Sequence, residues 1–111
     1  MSQGNLIYLF SHLVEIIKEE VKMKIRARHI LVDHEYEIKD IQRKLDQGVS
    51  FEELAKDFST CGSADDGGDL GFFSKGMMVP SFEKVAFTLQ PGEISAPVKT
   101  QFGYHLIKRI E

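Results

Sequence analysis

Apolar residues recur along this chain at two different spacings, and the switches between them mark out its elements. From Leu6 to Met23, the residues Leu6, Leu9, Phe10, Leu13, Ile17 and Val21 fall at helical spacing, with Glu15, Lys18, Glu19 and Lys22 elsewhere on the wheel. The stripe predicts an amphipathic helix. In "IRARHILV" at 25–32 the period changes to two: Ala27, His29 and Leu31 share one face, Ile30 and Val32 the other. A strand that is apolar on both faces over its second half belongs in the middle of a sheet. Ile38, Ile41 and Leu45 return to helical spacing and stop near Gly48. Ser50 with Glu53 then forms a capping-box pattern that opens a further helix through Phe51, Leu54, Ala55 and Phe58.

Residues 60–76, "TCGSADDGGDLGFFSKG", place the only cysteine in a run with five of the nine glycines. Inside it "LGFFS" predicts a short strand. Phe82, Val85, Ala86 and Leu89 predict a helix for which Ser81 is the expected cap. "QPGE" at 90–93 is a turn, and "SAPVKT" and "YHLIKRI" flank "QFG" as two antiparallel strands. Strands and helices mix without regular βαβ alternation, so the class is α+β with a small antiparallel sheet.

Composition narrows the partners. With 111 residues, 42% of them hydrophobic, the chain is long enough for one domain with a modest core. A net charge of -3 leaves no surplus of lysine and arginine for a phosphate backbone, which argues against nucleic acid. One cysteine makes no internal disulfide, so the cytoplasm is the expected compartment, with the cell envelope as alternative. The most apolar run, residues 6–17, contains His12 and Glu15 and falls short of the ~20 residues that cross a bilayer, so neither a membrane span nor a signal peptide is expected. The stripe on that segment is read as core cover in preference to a docking face for a partner or a second copy.

Several chemistries can be tested against the glycine-rich run. The G-x-x-x-x-G-K-[ST] and G-x-G-x-x-G phosphate patterns cannot be laid on it. A calcium loop begun at Asp65 reaches Gly76 where a glutamate is required. Cys61, His29 and His105 are good zinc ligands without any C-x-x-C or H-x-x-x-H spacing, so no metal and no cofactor is expected. A Cys–His hydrolase would carry flanking motifs that are absent. The bland reading of each histidine is a satisfied core residue. Yet His29 shares a strand face with Ala27 and Leu31, and His105 shares one with Ile107, so both imidazoles are expected to point inward and to need partners.

These residues resemble the parvulin family of peptidyl-prolyl cis/trans isomerases. The resemblance runs on linked motifs in one order: the H-I-L-V strand, F-S-x-C, G-G-D-L-G-x-F, G-x-M-V-P-x-F and F-G-Y-H. It covers nearly everything after Lys24 and is greatest to small single-domain bacterial parvulins. That divides the chain into an N-terminal amphipathic helical extension, 1–24, and a parvulin-type domain, 25–111. The resemblance implies a parvulin-like, FKBP-like superfold with a four-stranded antiparallel sheet wrapped by helices in the order βα3βαβ2. It implies that His29 and His105 are the paired core histidines, that Cys61 sits where the family has cysteine or aspartate, and that Thr100 supplies the hydroxyl of their network. Leu70, Met78 and Phe82 then line a proline pocket, with Phe102 close to its mouth.

The implied activity is rotation about X–Pro bonds in proline-containing polypeptides, in aid of folding. Its barrier of ~18–20 kcal/mol arises from amide resonance and needs no bond made or broken. An apolar slot that grips the ring and keeps water from the planar amide suits that task, and a nucleophilic Cys61 is not required by it. Phospho-specific relatives carry a basic cluster after the first strand, whereas this chain has "DHEYE" at 33–37, so unphosphorylated substrates are expected. The rivals are a chaperone-like binding module with little or no catalysis and the Cys–His hydrolase.

Overall fold

The computed structural model describes residues 11–15 and 23–111. Residues 11–15 are helical; of the rest of the helix predicted over 6–23, Met23 is described and lies outside any helix, and the others lie outside the described residues. Beyond it the order is β1 (Lys24–Val32), α1 (Glu35–Asp46), α2 (Phe51–Phe58), a 3-10 turn (Gly62–Asp66), β2 (Asp69–Ser74), α3 (Pro80–Thr88), β3 (Val98–Thr100) and β4 (Gly103–Arg109). The strands form one sheet in the order β2-β1-β4-β3, and every neighbouring pair is antiparallel. This is the βα3βαβ2 arrangement that the resemblance implies.

Both faces of the sheet are covered. On one, Ile25 and Ala27 of β1 join Phe73, Ile107 and Val98 beneath Phe82, Ala86 and Leu89 of the α3 region. On the other, Ile30 and Val32 join Leu106 beneath Ile38 and Ile41 of α1 and Phe51, Leu54 and Ala55 of α2. The two-sided apolar pattern of β1 is therefore the pattern of a central strand, and it hydrogen-bonds to β2 on one side and β4 on the other.

The helix ends follow local chemistry. Ser50 Oγ accepts the Glu53 N–H at 3.1 Å, as the capping pattern predicts. Helix α1 has no side-chain cap, but Glu35 and Glu37 in its first turn and Arg43 and Lys44 in its last complement the helix dipole. The cap expected at Ser81 is corrected: the N-cap of α3 is Val79, Pro80 opens the helix, and Ser81 lies inside the first turn. Proline needs no partner for an amide hydrogen and has φ preset for a helix, so no capping hydroxyl is required.

Two glycines let loops close on the sheet. Gly68 has φ +84°, and a Cβ there would strike the His29 carbonyl; its own carbonyl accepts the His29 N–H at 2.9 Å. Gly103, at the β3–β4 turn with φ +137°, passes equally close to the Val32 carbonyl. Only a residue without a side chain fits either approach.

Candidate active site

The strand register brings the two histidines together. Leu31 pairs with His105 and His29 with Ile107, so the imidazoles stand diagonally on one face of adjacent strands. Their rings stack at 5.3 Å with 22° between planes, and the two Nδ1 atoms lie 3.1 Å apart. His105 Nε2 lies 2.7 Å from Thr100 Oγ1, which also accepts the Phe102 N–H at 3.2 Å. His29 Nε2 is buried and has no hydrogen-bond partner among the described residues.

Protons can be assigned from this pattern. With the Phe102 N–H already received, the Thr100 hydroxyl has its own hydrogen to donate to His105 Nε2. His105 then carries its proton on Nδ1 and donates it to His29 Nδ1, which leaves His29 protonated on Nε2. The opposite direction leaves both the threonine hydrogen and a buried imidazole lone pair unmet. Burial, and then the neighbouring imidazole, lower the His29 pKa to about 4; burial lowers that of His105 as well. Both rings are therefore neutral at pH 7.

Phe82 of α3 meets both rings edge-on, at 5.6 Å and 84° from His29 and 5.4 Å and 74° from His105. Beside them opens a cavity of about 430 Å³ lined by the apolar Leu31, Leu70, Met78, Val79 and Phe82 together with Cys61, His29 and His105. Met77 and Phe102 stand at its rim. Leu70 and Met78 pack against the α3-side core, so the slot is continuous with the interior.

Cys61 reaches this place through Ser59. Leu31 N–H and Cys61 N–H both donate to Ser59 Oγ, at 3.1 and 3.4 Å, while Thr60 N–H donates to the Leu31 carbonyl at 2.8 Å. The F-S-x-C segment thus runs pinned along β1 and sets a half-buried, free thiol into the cavity wall. Asp69 does similar work for Leu70: its carboxylate is bound by the Arg26 guanidinium and also accepts the Gly71 N–H at 2.8 Å, fixing the backbone on either side. The Arg26 contact holds the Asp69 pKa down at about 2.

All eight residues singled out in the sequence come together here. Seven line the cavity, and Thr100 stands behind His105. The sequence reading missed Leu31, Met77 and Val79 as lining residues, and Ser59 and Asp69 as their supports. Leu31 was legible from its alternation with His29. Ser59 and Asp69 lie inside the quoted motifs, but their hydrogen bonds cross from one element to another. No group of three or more histidine, cysteine or acidic side chains suited to a metal occurs among the described residues.

A four-stranded antiparallel sheet with helices on both faces, holding a stacked histidine pair over an apolar slot, defines the parvulin class. The chain belongs to that family: the PPIC-type PPIase (rotamase) domain model matches residues 12–111. It is 53% identical over 94 residues to the foldase protein PrsA of Bacillus subtilis, covering 84% of this chain and 32% of the relative. The crystal structure of the peptidylprolyl isomerase PrsA from Bacillus anthracis superposes with a TM-score of 0.79 at 50% identity, over 85% of this chain and 44% of that one. NmPin, the parvulin of Nitrosopumilus maritimus, gives a TM-score of 0.72 at 52% identity, over 79% of this chain and 96% of its own. The chain spans about a third of the length of the Bacillus foldases it matches.

Proposed function

We propose that this domain is a peptidyl-prolyl cis/trans isomerase that turns X–Pro bonds in unfolded or flexible polypeptides and so assists folding. The observation that carries the reading is the apolar slot of Leu70, Met78 and Phe82 set directly against two neutral, hydrogen-bonded imidazoles. The slot takes the pyrrolidine ring and keeps water from the planar, more dipolar amide, which raises the ground state relative to the twisted form. As the carbonyl swings, the half-buried Cys61 thiol and the histidine pair beside it give it a polar surrounding. Cys61 acts as a wall of the chamber and not as a nucleophile, because a bond rotation needs no covalent intermediate.

The substrates are unphosphorylated. Asp33, Glu35 and Glu37 follow β1, and among the described residues no lysine or arginine lines the cavity to gather a dianionic phosphate. The test is cis/trans exchange in X–Pro peptides followed by NMR, with wild type and the Met78→Ala and Phe82→Ala variants. Wild type accelerates exchange and both variants lose most of it. No acceleration by wild type overturns the reading.

A chaperone-like module is the second reading, supported by the 33% identity to a Campylobacter jejuni structure described among SurA-like chaperones, a match over 99% of this chain. Binding of unfolded chains without exchange enhancement selects it. Among the described residues no helix is long and apolar enough to cross a membrane. The free thiol suits a reducing compartment and supports a cytoplasmic placement, whereas the study that describes the Campylobacter structure also describes a periplasmic protein, which supports the cell envelope. Cell fractionation decides between them. Docking of a partner or second copy through the 1–24 segment rests on its apolar stripe, and sizing the chain with and without that segment tests it.

A further inference from the structure

The connection between β2 and α3, residues 75–79, contributes Met77, Met78 and Val79 to the cavity lining. It has no regular secondary structure, and an irregular segment makes a soft wall unless groups outside it hold it in place. Glu83, in the first turn of α3, holds it at two points. Its backbone N–H donates to the Val79 carbonyl at 3.0 Å, and its side-chain Oε1 accepts the Gly76 N–H. Met77 and Met78 therefore lie between two residues tied to one helical position. The residue just before it on the helix, Phe82, carries the ring that meets both imidazoles. A single turn of α3 thus supplies the buried ring of the slot and the tether of its methionine wall.

A carboxylate in the first turn of a helix has a bland role, which is to complement the helix dipole, and for that its charge alone is enough. Glu83 does something more specific. It is half-buried, and its oxygen meets the amide seven residues earlier in the chain, across the connection that forms the slot. A hydrogen bond to an ionised acceptor is stronger and more demanding in geometry than a neutral one, which suits it to fixing a segment.

We propose that Glu83 is a positioning residue for the reaction: through Gly76 it fixes the 75–79 connection so that Met78 and Phe82 keep the spacing that grips the proline ring. The inference rests on the isomerase reading for the occupant of the slot. A displacement of about 1 Å in a positioning group costs up to ~100-fold in rate, so loss of one tether is felt without any change in the lining residues themselves.

Two conservative variants separate the roles. Glu83→Gln keeps an oxygen at the same reach and loses the charge, whereas Glu83→Asp keeps the charge and falls one methylene short. The measurements are the methyl resonances of Met77 and Met78, the amide-proton shift of Gly76, and kcat/KM from NMR exchange in one X–Pro peptide, at a temperature where amide spectra show every variant folded. In Glu83→Asp and Glu83→Ala the methyl resonances move, the Gly76 proton shifts upfield, and kcat/KM falls about 10-fold; Glu83→Gln stays within about 2-fold of wild type with its methyl resonances in place. The reverse order, with Glu83→Asp active and Glu83→Gln impaired, assigns the carboxylate to the helix dipole and overturns the proposal. Unchanged resonances and rates in Glu83→Asp and Glu83→Ala overturn it as well. Absence of exchange with wild type overturns the isomerase reading instead, and the methyl and Gly76 resonances then still decide whether Glu83 sets the wall.

Discussion

His29 Nδ1 and His105 Nδ1 lie 3.1 Å apart on neighbouring strands, and a single proton occupies the space between them. Thr100, through its hydroxyl on His105 Nε2, decides on which ring that proton rests. Nitrogen-15 shifts at neutral pH are therefore expected to show His105 as the Nδ1–H tautomer and His29 as the Nε2–H tautomer. Thr100→Val mixes the tautomers and lowers exchange activity, while Thr100→Ser restores both. Identical spectra in Thr100→Val and wild type would remove the threonine from the argument.

The same burial makes stability depend on pH. His29 titrates at about 4 when folded and near ~6.5 when unfolded, so between these values the unfolded chain binds more protons. The contribution of the neutral ring is fully present above pH ~6.5 and is lost as pH falls toward 4. Denaturant titrations at pH 7.5 and pH 5 should differ by on the order of 2 kcal/mol in this direction. The Asp69 carboxylate, depressed by Arg26, is lost only below the normal range for aspartate and does not enter that window. Equal stability at the two pH values would contradict the burial of the pair.

Phe82 and Met78 should separate stability from activity. Phe82 is buried in the core and touches both imidazoles, so Phe82→Ala costs roughly 3–5 kcal/mol in stability and abolishes exchange. Met78 is only partly buried, and Met78→Ala costs less stability while still lowering kcat/KM by about 10-fold through the opened slot. Thermal melts alongside exchange rates check both; a Met78→Ala protein with full activity would detach the methionine from the ring site.

Cys61→Asp tests the role of the thiol. A polar wall is preserved by a carboxylate and a nucleophile is not replaced by one in this setting, so the variant should keep a substantial share of wild-type exchange. Near-complete loss with an intact fold would favour covalent catalysis.

Gly68→Ala probes the loop that carries Cys61 and Leu70 to the site. The added Cβ meets the His29 carbonyl in a backbone conformation that side chains rarely adopt, so the variant should lose both stability and the His29–Gly68 backbone bond. Hydrogen exchange at the His29 amide reads this directly, and unchanged protection would contradict the close approach.

Much of this site was legible beforehand because its parts sit in contiguous motifs with strong local signals. The alternation in 25–32 placed His29 and Leu31 on one face, the capping pattern at Ser50 set the start of α2, and the family resemblance carried by the motifs pointed to Leu70, Met78 and Phe82. The helix start at Val79 was not legible, because Ser81 and Pro80 both signal a helix N-terminus and the preset backbone of proline prevails over a hydroxyl that has no donor to meet. Met77 was passed over because nothing local distinguishes an exposed methionine from its neighbour.

The chain by itself determined which residues alternate, which cap, which must be glycine, and that two histidines needed partners, since these follow from periodicity and from the conformational limits of single residues. The family resemblance pointed to the two histidines as a pair, but only the tertiary structure decided the Nδ1-to-Nδ1 contact by which they meet. Residues 29 and 105 meet through the register of β1 against β4, and Ser59, Asp69 and Thr100 act through bonds between separate elements. Contacts of that kind depend on how the whole sheet assembles, and no local spacing encodes them.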